Sequence, residues 1–253
     1  MTSEEWVAIQ SSVTDAMLAH TTPFGTPLGT ASDTSVRLIG SGAYVTREDR
    51  RLLVTCEHVA RETPIHYRFH GSDNVFEHRE IWTMDPPPID AACTVINDNA
   101  WMSSDHSAAA IRYERFATCH KIVEPAELLF FRGYAGENAH YAFGVHETNA
   151  SGYCTQEKKG TGDQEIFELL WEPQHTEFTS GTTSQAKSAV RFDDARGFSG
   201  SLVWNTRYLE VTKTGRSWSP DDAVVTGLLR RWDQQTKTLL VWRVEHLKRW
   251  LES

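Results

Sequence analysis

The chain has 253 residues and a formal net charge of −9, with 25 Lys and Arg against 34 Asp and Glu. Hydrophobic residues make up 40% and charged residues 23%, the balance of a folded protein with room for one large domain or two small ones. The acidic excess excludes a dedicated nucleic-acid binder, which needs a basic footprint, and no apolar run reaches the length of a membrane span. The opening Met1-Thr2-Ser3-Glu4-Glu5-Trp6 lacks the basic and apolar regions of a secretory signal. Cys56, Cys93, Cys119 and Cys154 show no CxxC spacing, which argues against zinc or a redox pair. Without an export signal, reduced thiols and a cytoplasmic location are expected.

Trp6, Val7, Ile9, Val13, Met17 and Leu18 recur at helical spacing, predicting one amphipathic helix over Glu4–His20 with Thr2 or Ser3 as N-cap. Thr21–Asp33 is rich in Thr, Pro and Gly and reads as a connector. Short strands then dominate: Val36–Ile39, Gly42–Val45, Arg51–Thr55, Ile65–Phe69, Glu80–Met84, Ala91–Ile96 and Ala108–Tyr113. The second half continues with Leu128–Arg132, Tyr141–Val145, Ile166–Trp171, Ala189–Phe192, Ser201–Asn205, Val224–Arg231 and Thr238–Val244. Many short strands punctuated by turns predict an all-β sandwich or barrel. Thr155–Gly162 reads as a mobile polar loop, and Thr206–Asp222 as a long insertion of the kind that gates a site or stays disordered. Val244, Leu247, Trp250 and Leu251 predict a short terminal helix. His66 and His70 lie roughly 13 Å apart in an extended run and cannot share a metal by themselves. Trp204, Trp232, Trp242 and Trp250 are expected to pack the second half and the terminal helix.

Two stretches carry chemistry. In Arg196-Gly197-Phe198-Ser199-Gly200-Ser201-Leu202-Val203 a serine sits between glycines ahead of an apolar run. Such a turn presents a hydroxyl outward and aims nearby N–H groups at one point, as acyl transfer requires. Upstream, Gly40-Ser41-Gly42 precedes the apolar Leu52-Leu53-Val54, which ends in Thr55-Cys56-Glu57-His58-Val59. A histidine just past a buried strand is held on a rigid element, as a general base must be.

Together these motifs resemble the trypsin/chymotrypsin-like serine proteases, including their bacterial intracellular branch, over roughly residues 36 to 244. The resemblance implies two six-stranded antiparallel β-barrels with the site in the cleft between them. The chain then divides into an N-terminal helix (1–22), a first barrel (23–120), a second barrel (121–243) and a C-terminal helix (244–253). In the family's order an aspartate that opens a strand stands between the His and the Ser. Asp90, opening Asp90-Ala91-Ala92-Cys93-Thr94-Val95-Ile96, has the family's alanine two positions on and is preferred. Asp105, opening Asp105-His106-Ser107-Ala108-Ala109-Ala110-Ile111, is the alternative. The implied roles are Ser199 as nucleophile, His58 as general base and acid, Asp90 as orienting carboxylate, and the Gly197 and Ser199 amides as oxyanion hole.

Departures from the family are informative. Phe198 replaces the aspartate that pairs with a freed N-terminus in digestive members, so that activation switch is absent. Ser201 stands where many members keep a further glycine, and Val59 replaces the cysteine of secreted members. Glu57 beside the histidine reads as a solvated side chain. Asp193, six residues before Ser199, reads as an exposed turn carboxylate rather than a pocket floor. Val225-Thr226-Gly227-Leu228-Leu229-Arg230 is the strand expected to line the cleft and to pair with substrate backbone. Arg230 and Arg231 there read as solvated, with a preference for acidic substrates as the other reading.

The sequence therefore predicts a cytoplasmic bacterial serine endopeptidase acting on protein or peptide substrates, open to control by a partner protein. It needs no metal or cofactor and has no nucleic-acid or membrane partner. Two alternatives stay open: a catalytically silent member of the same fold that binds peptides or proteins, and hydrolysis of a non-peptide ester by the same residues.

Overall fold

The computed structural model describes the chain except at residues 1, 33–34, 137–138, 143–144, 149, 161, 173–175 and 190–193. Helix α1 (Ser3–Thr21) starts at Thr2, whose hydroxyl accepts the Glu5 amide while the Glu5 carboxylate accepts the Thr2 amide. That reciprocal cap satisfies two donors that helix geometry leaves open. Val13 and Met17 are buried on its inner face, as the helical spacing predicts.

The first sheet comprises β1 (Gly25–Ser32), β2 (Ser35–Arg47), β3 (Arg50–Thr55), β4 (His66–Tyr67), β5 (Phe76–Glu77), β6 (Thr83–Asp85), β7 (Ala91–Val95) and β8 (Ile111–Arg112). A one-turn helix α2 (Glu57–Ala60) follows β3, and α3 (Asp98–Ser103) follows β7. The strand order is β5-β4-β1-β2-β3-β7-β6, with β8 added in parallel beside β2. Three expectations are corrected here. The Pro- and Gly-rich stretch read as a connector contains β1, paired from Gly25↔Ala43 to Ser32↔Ser35 with a register shift at Leu28/Gly29. Its strand character comes from the partner strand rather than from local propensity. The segments Val36–Ile39 and Gly42–Val45 are one continuous strand, β2, running through Gly40-Ser41-Gly42. The expected strand Ile65–Phe69 shortens to His66–Tyr67.

The second half holds β9 (Leu129–Gly133), the hairpin β10 (Ala139–Ala142) and β11 (Val145–Thr148), β12 (Ser151–Thr155), β13 (Ile166–Leu170), α4 (Ser184–Ala189), β14 (Leu202–Asn205), α5 (Tyr208–Lys213), β15 (Val224–Asp233), β16 (Thr238–Arg243) and α6 (Val244–Glu252). Six strands run in the order β12-β9-β14-β15-β16-β13. The two edges of this sheet meet: Lys158 N–H donates to Glu168 O (2.8 Å) and Leu170 N–H to Gln156 O (3.0 Å). The start of Thr155–Gly162 is thus the seam of a closed barrel rather than a free loop. Ala189 ends a helix where a strand was expected, and residues 190–192 of that expected strand lie outside the described residues.

The result is an all-β fold of two curled antiparallel sheets with a helix at each end. The second has the expected six strands and the first has eight, because β1 and β5, from stretches not predicted as strands, join it. In β9, Leu129 and Phe131 face the core of the second barrel, while Phe130 and the preceding Leu128 face the shared core with the first. Both faces are covered, so the run is apolar throughout instead of alternating. The stretch Thr206–Asp222 is folded, which corrects its reading as a gating or disordered insertion. The buried Glu127 carboxylate accepts the Leu209 (3.1 Å) and Glu210 (3.0 Å) amides at the start of α5, and Trp218 Nε1 donates to Thr206 O at 2.7 Å. Helix α6 ties the ends together: Trp250 Nε1 donates to Asp85 Oδ2 at 2.5 Å and Arg47 donates to Leu251 O. Among the described residues no helix is long and apolar enough to cross a membrane.

Because Met17 is fully buried, Met17→Ala should cost about 2–5 kcal/mol. A shift in the urea midpoint worth under about 1 kcal/mol would show that α1 is not part of the cooperative core.

Candidate active site

The buried run Leu52-Leu53-Val54-Thr55 delivers the chain to Cys56, an extended residue from which α2 turns. His58 sits on that turn with its side chain 43% exposed. Glu57, expected to be solvated, is buried, and Arg61 donates to its carboxylate from Nε (2.9 Å) and Nη2 (2.6 Å). The i,i+4 spacing that creates this pair is visible in the sequence, but it needs the α2 turn to act.

Asp90 closes a turn in which its amide donates to Pro86 O at 3.2 Å. Its φ of 54° lies in the left-handed region that Asp tolerates better than most residues. That turn aims the carboxylate at α2. Asp90 Oδ1 accepts the His58 backbone amide (3.1 Å), and His58 Nδ1 lies 2.9 Å from Oδ1 and 3.0 Å from Oδ2. The Asp90 side chain is 5% exposed. Burial opposes its ionisation, but the bonds from His58 and the nearby Arg230 charge outweigh this and hold the carboxyl below its ordinary value. Asp105, the alternative acid, lies exposed between α3 and β8; among the described residues the side-chain partner of His58 is Asp90.

Ser199 lies in a turn whose glycines adopt positive φ, 101° at Gly197 and 91° at Gly200, where an L side chain is strained. Ser41 holds this turn. Its amide donates to Ser199 O (2.8 Å), its hydroxyl donates to Gly197 O (2.8 Å) and accepts the Tyr134 amide (2.9 Å), and its carbonyl accepts the Thr55 hydroxyl (2.7 Å). Phe198 anchors the turn from below, fully buried and edge-on to Phe131 at 5.3 Å and Tyr153 at 5.5 Å. Ser201 fits because residue 133 is glycine: a Cβ there would stand 2.2 Å from Ser201 Oγ. Among the described residues neither the Gly197 nor the Ser199 amide donates to a protein acceptor. Asp193 lies outside the described residues.

Two shared points bring the His58 and Ser199 segments together. A Cβ on Gly40 would lie 2.6 Å from Val59 Cγ2 and 3.1 Å from Ser199 O. The Leu229 carbonyl accepts both the Cys56 thiol (3.3 Å) and the Gly200 amide (2.9 Å). Next along β15, Arg230 is buried, with Nε 4.0 Å from Asp90 Oδ2; this corrects its reading as a solvated charge. Cys56 Sγ, a His58 ring nitrogen and an Asp90 oxygen fall within 4.8 Å of one another. Burial and then the Asp90 charge push the Cys56 thiol well above its ordinary value. With the Arg230 guanidinium alongside, the group is a poor cation site. A cavity of about 560 Å³ lies elsewhere, between α1 and β12, and is bordered by none of His58, Asp90 and Ser199.

No protein family and no curated protein is matched by sequence. Solved structures are matched by fold. The active form of a protease from M. tuberculosis superposes with a TM-score of 0.55 at 15% identity, over 95% of this chain and 85% of that one. Neuropsin, a serine protease of mouse brain, gives 0.51 at 12% identity over 92% and 94%. The serine endoprotease from Yersinia pestis gives 0.52 at 13% identity over 94% and 65%. The chain therefore has the fold of the trypsin-like serine proteases.

Ser41→Ala would strand the buried Tyr134 amide and free the Gly197 carbonyl, and should cost about 1–3 kcal/mol in urea unfolding. For Asp90 the folded carboxyl titrates below the unfolded one, so its contribution is present above the ordinary carboxylate range and is lost as pH falls through the lower folded value. Below about pH 4, the stability of Asp90→Asn should accordingly fall less steeply than that of the wild type; parallel curves would contradict this.

Proposed function

We propose that the protein is a serine endopeptidase that cleaves protein or peptide substrates through His58, Asp90 and Ser199. The observation that carries this reading is the exposed His58 imidazole held through Nδ1 by a buried carboxylate, on a segment joined at two points to a glycine-flanked serine turn. With Nδ1 committed to Asp90, Nε2 is the nitrogen left to take a proton.

In the proposed reaction Ser199 Oγ bonds to the scissile carbonyl carbon as its proton passes to His58 Nε2. The carbonyl π electrons move to oxygen, and the Gly197 and Ser199 N–H groups, without a protein acceptor among the described residues, donate to that oxyanion. Collapse of the adduct breaks the C–N bond, and the imidazolium protonates the departing amine. Water then repeats the sequence on the acyl-enzyme and regenerates Ser199. Asp90 fixes the imidazole tautomer and stabilises the imidazolium throughout.

A substrate strand has an open edge available. Strand β14 pairs with β15 only as far as Leu202↔Leu228, whereas β16 continues along β15 to Asp233↔Thr238. Residues 230–233 of β15 therefore offer backbone groups beside the Ser199 turn for β-augmentation. All four cysteines are free thiols, which supports a reducing compartment such as the cytoplasm as the place of action.

A fluorophosphonate probe should label the wild type and Asp105→Asn, but neither Ser199→Ala nor His58→Ala. Asp90→Asn should lose about 10⁴-fold in peptide turnover. Folded wild type that resists the probe across pH 6–9 would instead mark a peptide-binding member of the fold.

A further inference from the structure

Arg230 is hard to explain as packing. Its side chain is only 11% exposed, and Nε is buried with no hydrogen-bond partner among the described residues. A guanidinium held this way is costly unless an anion compensates it. Asp90 is the anion beside it, at 4.0 Å. Arg231, its exposed neighbour, is better placed to meet a substrate on the strand edge.

The surrounding charges can be enumerated. Asp90, Cys56, Arg231 and Glu165 act on Arg230, and His58 and Arg230 act on Asp90. Glu57 of α2 is engaged by Arg61, and the Cys56 thiol stays neutral at physiological pH because burial and the Asp90 charge raise it. The carboxylate that orients His58 is thus shared between an imidazole from α2 and a guanidinium from β15.

We propose that Arg230 is a positioning residue that holds Asp90 ionised and shares that carboxylate with His58, so that removing the guanidinium strengthens the pull of Asp90 on a proton at the imidazole. This rests on the endopeptidase reading only for its catalytic consequence. The sign follows from Coulomb's law: a carboxylate alone favours the imidazolium, and a cation beside that carboxylate weakens the preference.

The test is an NMR pH titration of the His58 imidazole, assigned by the signal lost in His58→Ala, in wild type, Arg230→Gln and Arg230→Lys. Arg230→Gln should raise the His58 midpoint by about one pH unit, a tenfold gain in proton affinity. Arg230→Lys should stay within about 0.3 unit of wild type. The acidic limb of kcat/KM should move by the same amount, with KM little changed. An unmoved midpoint in folded Arg230→Gln, or equal rises in both variants, overturns the proposal. If Arg230→Gln does not fold, Asp90→Asn decides: with the cation unopposed, His58 should titrate below its ordinary value of about 6.5, and a midpoint at or above that value overturns it. The titration needs no turnover, so a shifted midpoint in a protein that resists the fluorophosphonate would refute the endopeptidase reading while sustaining this one.

Discussion

The geometry of the site depends on Ser41. This buried residue, in the middle of a long strand of the first sheet, bonds to both halves of the molecule through its amide, hydroxyl and carbonyl. Its partners are the serine turn, the end of β9 and the end of the histidine strand. A residue with one backbone donor, one backbone acceptor and a rotatable hydroxyl is small enough for the strands to converge and still satisfies every group it meets. Large flanking side chains would prevent this: Gly40 admits Val59 and the Ser199 carbonyl to distances that any Cβ would block. The cleft between the sheets is thus anchored by hydrogen bonds at its floor, with aromatic packing around Phe198 behind it.

Upon that floor the charges are arranged by unequal burial. Asp90 is nearly inaccessible while His58 is partly open to solvent, so in the proposed reaction the carboxylate is the fixed member of the pair and the imidazole the accessible one. Arg230 adds a buried guanidinium 4.0 Å from the same carboxylate. The carboxylate is held by the His58 amide and ring and lies beside the Arg230 guanidinium, which under the proposed reaction separates orientation from proton transfer.

Much of this was legible in the linear chain. Gly197-Phe198-Ser199-Gly200 and Thr55-Cys56-Glu57-His58 announce a turn and a strand end by composition alone. Long apolar runs such as Leu128–Phe131 mark strands covered on both faces. What stayed hidden depended on distant partners. β1 is strand because β2 lies beside it, although its proline and glycines suggest a connector. Glu57 and Arg230 are charged residues whose burial is decided by the elements packed over them. Residues 206–222 fold because Glu127, about eighty positions upstream in sequence, caps α5.

The sequence by itself determined the all-β class and the terminal helices and offered the candidate reactive side chains, because periodicity, glycine placement and residue chemistry are local properties. Only the tertiary structure decided which carboxylate meets His58, which segment clamps the serine turn and which arginine enters the site. Those are matters of convergence between strands far apart in the chain. They turn on ångström-scale distances such as those from Asp90 to His58 and Arg230, which no spacing along the sequence encodes.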